Sequence, residues 1–447
     1  MLKFKQSYKI LLFVLLSFAV FSPLLFTKLY WDDVSLLFNQ VNQYQLNLNA
    51  LKFFGINKES YSWPIFYLFF SLLVKIFGNQ YFYYRLFILL LHGINAYLFW
   101  KILRKIKIRN HLLISVVFLI HPYHLLTLSL IIQIKTLLAV FFLLLSIKYI
   151  FNFYNTKNQI LAFIFYILSL LSKSITLSFL PLYLFFLYKR KKSRKSILLI
   201  ISLVSLAFFS FLRTIWDATS QRFIYDSIIG NWYNDSTIFI KYLISIKNFI
   251  KYFYLGFFPI RINYLYQPPT EISKSFFEYF VVLIPLLLIL FIFNNFSRDK
   301  KYKLLFLFFC INIIPLCGLF FIPIFATSNF VTYWYYLPLL GLLPIISYFI
   351  KNVKFFYLYI IIFSIYSHLT AYTYIKTENI ILNSVKATPD SINMKLALLD
   401  FYHYNFKCTD YQLLYRQVFD GNISDNDNII KNNYSKKLHA CRVNYEH

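Results

Sequence analysis

Acidic residues and glycine are scarce in this chain of 447 residues. It has 17 acidic residues against 45 basic ones, and only eight glycines. It contains no glycine-rich phosphate loop, so the sequence gives no support for a nucleotide-binding fold. Four cysteines are too few for a disulfide scaffold, and the metal-ligand spacings C-x-x-C and H-E-x-x-H are missing. No cofactor is predicted, and metal dependence stays open.

Hydrophobic residues make up 59% of the chain, which exceeds the need of soluble cores. Apolar runs of about 15 to 22 residues recur up to about residue 373, and backbone groups in lipid must pair within each helix. The first run follows Lys3, Lys5 and Lys9 as in a signal peptide, but no small-residue cleavage pattern follows it. The sequence therefore predicts an all-α polytopic membrane protein that retains its first span.

The basic residues cluster in short segments between the apolar runs, which indicates cytoplasmic loops and excludes nucleic acid as the partner. The clusters lie before the first span, at 101–109, at Lys148 and Lys157, at 189–195, at 298–303, and at Lys351 and Lys354. The amino terminus is thus predicted to be cytoplasmic and the carboxyl terminus extracytoplasmic. Two other apolar stretches, 64–77 and 238–258, are predicted to lie along the outer surface, because one is short and the other carries three lysines.

With these two stretches outside the bilayer and the basic clusters in the cytoplasm, the sequence predicts about eleven transmembrane helices. They lie at about residues 10–29, 83–103, 111–129, 134–152, 159–172, 175–188, 196–212, 277–296, 304–323, 334–350 and 355–373. Residues 1–373 form the predicted membrane domain, and 374–447 form a small extracytoplasmic tail. Periodicity from Ser391 to Phe419 predicts two short packed helices in that tail. Cys408 and Cys441 form either a disulfide or two free thiols there.

Two groups of charged residues lie at the predicted outer surface. Asp32 and Asp33 directly follow the first span, and a partly desolvated carboxylate there suits a general base. The alternative is an ordinary charged helix end. Arg85, Lys135 and Lys173 lie near the outer ends of spans, where they favour an anion site. Snorkelling of each side chain to the headgroups is the alternative.

Two further features bear on ligand binding. Arg261 lies in the second outer loop, and arginine binds phosphate through a bidentate fork, although a solvated surface residue is the alternative. Pro122 interrupts the third span between His121 and His124. The histidine spacing identifies no metal site, and a packed core histidine is the simpler interpretation of each.

The order of motifs carries a family resemblance. Tyr30-Trp31-Asp32-Asp33 resembles the first-loop motif of membrane-embedded GT-C glycosyltransferases, especially the transmembrane O-mannosyltransferases with tetratricopeptide repeats. Later segments resemble that family's motifs in the same order, over about residues 10–373. They are Ser62-Trp63-Pro64, "VKIFGNQYFYYRLFILLLHGINAYLFW", "FLIHPYHLLTLSL", "LSLLSKSITLSFLP", "YLGFFPIRINYLYQP" and "TYWYYLPLLG".

The resemblance implies transfer of a sugar, with inversion, from a polyprenyl-phosphate-linked donor to a hydroxyl of a protein or glycan acceptor. Asp33, or else Asp32, would accept the proton of that hydroxyl. The candidates for stabilising the departing phosphate are Lys135, Lys173, Arg261 and His124. The tail is similar to one degenerate tetratricopeptide repeat. A bacterial inner (plasma) membrane is the expected location.

Four positions depart from the family pattern: Trp63, Leu126, Ser174 and Tyr333. These changes leave open a different substrate or a catalytically inactive descendant. Two other function classes also remain. A lipid or polysaccharide transporter or flippase would use intramembrane charges to line a pathway, and a non-catalytic membrane scaffold would present the tail to partners.

Overall fold

The structure is a computed structural model of the chain. It describes residues 6–30, 33, 63–151, 155–189, 238–259, 265–266, 294, 299–317, 330–350, 352–387, 392–404, 407–419, 431 and 434–438. Within these residues the chain is helical, apart from turns and one antiparallel ladder of two residues per strand. In that ladder β1 (Leu265–Tyr266) pairs with β2 (Phe330–Val331).

The α-helices are numbered along the chain. They are α1 (Gln6–Phe21), α2 (Pro64–Phe77), α3 (Tyr81–Lys105), α4 (His111–Leu119), α5 (Leu125–Ser129), α6 (Ile134–Ile150), α7 (Thr156–Ser172), α8 (Leu180–Lys189), α9 (Ile238–Leu255), α10 (Lys300–Ile313), α11 (Leu339–Phe349), α12 (Val353–Thr373), α13 (Thr377–Ala387), α14 (Ile392–Tyr404) and α15 (Cys408–Phe419). Single 3₁₀ turns extend several of them, at Ser22–Phe26, Pro122–His124, Ile131–Gln133, Ser174–Phe179, Ile314–Cys317 and Thr332–Tyr336.

In the part of the chain that the structure describes, four helical segments are long and apolar enough to cross a membrane: Tyr8–Phe26, Tyr81–Lys105, Ile131–Ile150 and Val353–Thr373. A fifth candidate span joins His111–Leu119 to Pro122–Ser129 across a 44° bend. Shorter apolar helices accompany them, so the predicted all-α class is confirmed, and these helices are compatible with a membrane protein. The predicted span 196–212 and, apart from residue 294, the predicted span 277–296 lie outside the described residues.

The bend falls at the predicted break. Pro122 lies at the start of a 3₁₀ turn, because it has no N–H to continue the helical ladder of α4. The carbonyl of Ile120, exposed by this interruption, accepts a hydrogen bond of 2.7 Å from the Ser367 hydroxyl on α12. A side chain of a neighbouring helix thus pairs with a backbone carbonyl that the break leaves without a partner in its own helix.

α1 and α3 run antiparallel and approach closely. Near the middle, a Cβ built on Gly93 would lie 2.8 Å from the Cα of Val14, so only glycine allows this crossing. Further along, the Ser17 hydroxyl donates to the carbonyl of Leu89 at 2.9 Å. α6 and α7 form a second antiparallel pair, bridged at both ends by serine hydroxyls that donate to backbone carbonyls of the partner helix.

The antiparallel arrangement collects basic residues at one end of the bundle, called here the basic end. Lys9, at the start of α1, lies beside Trp100 near the end of α3, and Lys301 of α10 donates to the carbonyl of Lys107 at 3.0 Å. Three of the predicted basic clusters therefore meet. Asp33, in the loop after α1, lies at the opposite end of the bundle.

This polarity leads to a topology prediction. Because short basic loops stay in the cytoplasm, a reporter fused after Lys195 should be cytoplasmic. Reporters at Asn57, Asn234 and His447 should be exported. Paired phosphatase and fluorescence fusions measure this. If the fusions at Asn57 and Asn234 reported opposite sides, the predicted orientation would be wrong.

The two stretches predicted to lie along the outer surface form the helices α2 and α9. α2 buries Phe66 and Phe70 against the bundle, while Leu68, Leu72 and Ile76 are exposed. α9 is anchored by Asn248, whose amide donates to the carbonyl of Cys317 at 2.9 Å. Their position at the outer surface stays a prediction.

The tail contains the two short helices expected from its periodicity, α14 and α15. They pack around a small core of their own, made of Leu396, Leu399, Tyr411, Tyr415 and Phe419. Between them, Lys407 lies 2.7 Å from a carboxylate oxygen of Glu378 on α13. The hydrogen bond to that carboxylate raises the pKa of Lys407. The likeness of this unit to a tetratricopeptide repeat stays a prediction.

Cys408 is disulfide-bonded, whereas Cys310 and Cys317 are free. The expected partner, Cys441, lies outside the described residues. We expect Cys408→Ser to lower the free energy of unfolding of the tail by about 3 to 4 kcal/mol. The reason is that a bond from Cys408 to Cys441 would close a loop that constrains the unfolded chain. Limited proteolysis of exported protein with and without reductant measures the effect.

The conservative control is Cys310→Ser, which removes a free thiol and should leave proteolysis of the tail unchanged. Recovery of Cys408 in alkylated form from non-reduced native protein would contradict the bond.

Candidate functional site

The carboxylate of Asp33 is bound at the amino-terminal end of a membrane helix. The backbone N–H of Ile131 donates to its Oδ2 at 2.8 Å, and that of Ile132 donates to its Oδ1 at 2.9 Å. These amides belong to the first turn leading into α6, where N–H groups have no partner within the helix. The partial positive charge of a helix start stabilises an anion at this position. Asp33 is fully buried, and the two amides fix its orientation.

Arg85 lies in the same region and is also fully buried. One terminal nitrogen donates to the carbonyl of Ser129, and the other donates to the carbonyl of Lys28 at 3.1 Å. The guanidinium also interacts electrostatically with Asp33. The hydroxyl oxygens of Tyr30 and Ser129 are 2.6 Å apart, which adds a second link between the first loop and the start of α6. Arg85 thus joins the segment that carries Asp33 to the turn whose amides bind the Asp33 carboxylate.

Lys173 reaches the same helix start from the junction after α7. Its ammonium donates to the Thr136 hydroxyl at 2.8 Å and lies 3.4 Å from Oε1 of Gln133. The Thr136 hydroxyl in turn donates to Oε1 of Gln133 at 2.6 Å. Lys173 interrupts the helix with extended dihedral angles, which directs the chain from α7 into the next turn. This interruption lies between the predicted spans 159–172 and 175–188.

Lys135 is held by an aromatic ring. Its ammonium lies 3.3 Å from the ring centroid of Trp63, the residue that precedes α2. That ring is stacked on Tyr67 at 6.1 Å between centroids. Lys173 lies 5.7 Å from the centroid of Tyr333. Trp63 and Tyr333 are two of the positions that depart from the family pattern, and each contacts one of the candidate phosphate-binding lysines.

These side chains form one polar cluster around the start of α6: Asp33, Arg85, Gln133, Lys135, Thr136 and Lys173. The four charged members are at most 9% exposed. Three carry a positive charge and one a negative charge, and the helix start adds a partial positive charge. Buried charge of one sign within a membrane protein is costly and marks substrate or ion sites. The cluster is therefore a candidate site for a substrate or an ion.

His124 contacts a different set of side chains. Its ring is surrounded by those of Phe118, Tyr336, His92 and His121, at centroid distances from 4.5 to 5.8 Å. Neither ring nitrogen has a hydrogen-bond partner within the described part of the chain. His124 is therefore placed as a core residue at the bend. The structure brings together Asp33, Lys135 and Lys173, whereas Asp32 and Arg261 lie outside the described residues.

Several members of the cluster were missed in the sequence. Gln133 and Thr136 are polar residues in an otherwise apolar run, and a spacing of three places them on one face of a helix. This spacing of polar residues within an apolar run is the sequence signal that indicates them. The backbone amides of Ile131 and Ile132 have no side-chain signature, so no pattern indicates them.

No group of three histidine, cysteine or carboxylate side chains suited to a metal ion occurs among the residues that the structure describes. No protein-family model matches the chain, and neither a curated protein nor a solved structure matches it. The polar cluster and the motifs of the sequence are therefore the features that bear on function.

Proposed function

We propose that this protein is a membrane glycosyltransferase that moves a sugar from a polyprenyl-phosphate-linked donor to an acceptor hydroxyl. One observation carries the proposal: a buried carboxylate and three buried cations converge on the start of α6, at the end of the bundle opposite the basic end. A transferase of this class needs one group to take a proton and others to stabilise a departing phosphate. The cluster contains both.

The chemistry assigns a role to each charged group. The acceptor oxygen attacks the anomeric carbon, Asp33 takes the proton of that hydroxyl, and the bond between the anomeric carbon and the phosphate oxygen breaks. The electron pair of that bond leaves with polyprenyl phosphate, so negative charge increases next to Lys135 and Lys173. The amides of Ile131 and Ile132 hold this carboxylate in a fixed orientation. Attack opposite the leaving group inverts the anomeric configuration.

The proposal includes the finer architecture expected from the motifs. The chain would have a GT-C-like fold of about eleven spans, with a cytoplasmic amino terminus and an extracytoplasmic tail, in a bacterial plasma membrane. The lipid of the donor would lie between helices, and the acceptor would be a protein or glycan outside the cytoplasm. The agreement between the basic end and the predicted cytoplasmic loops supports this orientation.

The decisive experiment uses the full-length protein in vesicles that contain a polyprenyl-phosphate sugar labelled in both the sugar and the lipid. Transfer releases polyprenyl phosphate that carries only the lipid label and an acceptor that carries the sugar label, and mass spectrometry of both fractions detects the two products. The acceptors supplied are a hydroxyl-rich peptide mixture and short glycans. Movement of intact donor across the bilayer, with both labels still joined, would instead show a transporter. Absence of both reactions, with folded protein present, would favour the scaffold.

A further inference from the structure

The basic end contains a second site, at the junction of α1 and α3. The indole of Trp100 is only 2% exposed, and two cations lie near its ring. The Lys9 ammonium is 4.6 Å from the ring centroid, and the Arg104 guanidinium carbon is 5.5 Å from it. One residue further along α3, Lys101 lies 5.2 Å from the ring of Tyr97. Positive charge from two helices is therefore concentrated around one buried indole.

The indole nitrogen of Trp100 has no hydrogen-bond partner in the described part of the chain. Buried tryptophan N–H groups usually have one, and leaving a donor unpaired costs free energy. An acceptor oxygen from outside the chain would satisfy this donor. Because Lys9 and Arg104 flank the ring, an anionic oxygen fits better than a neutral one.

The surface beside these charges is apolar. Immediately after Lys9, α1 exposes Leu11, Leu12 and Leu15, each more than half accessible. Exposed leucines on a helix that crosses a membrane contact lipid chains, so the anion within reach of Lys9 is the head group of a lipid rather than a free phosphate ion. Basic pockets between membrane helices bind the head groups of anionic lipids in this manner.

We propose that the junction of α1 and α3 binds one anionic phospholipid. Its phosphate lies between Lys9 and Arg104 and accepts a hydrogen bond from the Trp100 indole, and an acyl chain lies along Leu12 and Leu15. The site is separate from the polar cluster around α6 and does not depend on the proposed transfer reaction.

Brominated lipids test the proposal, because bromine on an acyl chain quenches nearby tryptophan fluorescence. The full-length protein is placed in phosphatidylcholine vesicles that contain either brominated phosphatidylglycerol or brominated phosphatidylcholine at equal content. We expect stronger quenching by the anionic lipid, and Trp100→Phe should remove that difference. Equal quenching by both lipids in the wild-type protein would overturn the proposal.

A charge-matched pair of variants separates the site from general attraction. Lys9→Gln with Arg104→Gln should weaken the relative affinity for phosphatidylglycerol at least about tenfold. Lys148→Gln with Lys157→Gln removes the same charge from the end of α6 and the start of α7 and should leave the preference intact. If both pairs lost the preference equally, or if the first pair retained it, the phospholipid site would be refuted.

Discussion

Asp33→Asn is expected to lower the rate of sugar transfer by at least about 10²-fold, the effect typical of a lost general base. Asparagine keeps one oxygen that can accept from an amide of the first turn of α6, but it cannot take a proton at neutral pH. Transfer measured in reconstituted vesicles gives the rate. Binding of the polyprenyl-phosphate donor, measured separately, should be retained, because Lys135 and Lys173 are unchanged.

Asp299 provides the matched control, because it also caps a helix. Its Oδ1 accepts from the N–H of Lys301 at 3.2 Å at the start of α10, and its side chain is 38% exposed at the basic end. Asp299→Asn therefore makes the same chemical change at a helix start away from the polar cluster, and it should keep full transfer activity. A folded Asp33→Asn protein with the wild-type rate would exclude Asp33 as the base.

Gly341→Ala is expected to destabilise the bundle by about 3 kcal/mol, at the upper end of the cost of overpacking. A Cβ at this position would lie 2.6 Å from the carbonyl oxygen of Leu305 and 2.7 Å from the amide nitrogen of Phe309. Both atoms belong to the backbone of α10, so no rotamer change relieves the contact and the two helices must separate. Glycine at such a crossing lets helix backbones approach closely in a membrane.

The two free cysteines report the unfolding directly. Cys310 lies on α10, and Cys317 is 2% exposed just beyond it. Their reaction with a maleimide during heating should begin at a lower temperature in Gly341→Ala than in the wild type. Phe349→Ala, at the end of α11 with a side chain 52% exposed, should leave the temperature nearly unchanged. Identical curves for all three proteins would show that the crossing tolerates a methyl group.

The spans that the structure describes were predictable because lipid leaves the backbone few choices. A long apolar run must form a helix to pair its own N–H and C=O groups, so the ranges of α3 and α12 were predicted to within a few residues. Pro122 lacks an N–H, so the break beside it was predictable as well. These features depend on residues close together in the chain.

The site was only half predictable, for a physical reason. Lys135 and Lys173 are charged residues at the ends of apolar runs, and Asp33 directly follows one, which marked all three as candidates. Their arrangement depends on backbone groups, since Asp33 binds two amides about a hundred positions away. His124 shows the opposite case: its side chain is distinctive, but the surrounding rings give it a packing role.

The partners of Arg85 also bear on how the protein is made. Arg85 leaves the ribosome 44 residues before Ser129, the residue whose carbonyl accepts one of its hydrogen bonds. At the usual speed of synthesis that interval is about 2 to 9 s. During it the guanidinium, near the start of the second span, can bind the carbonyl of Lys28 and interact with Asp33, which are already made, but the carbonyl of Ser129 is missing. The link from the loop after α1 to the turn before α6 therefore forms last, and a pause in synthesis between α3 and α6 would leave Arg85 with one of its two carbonyl partners.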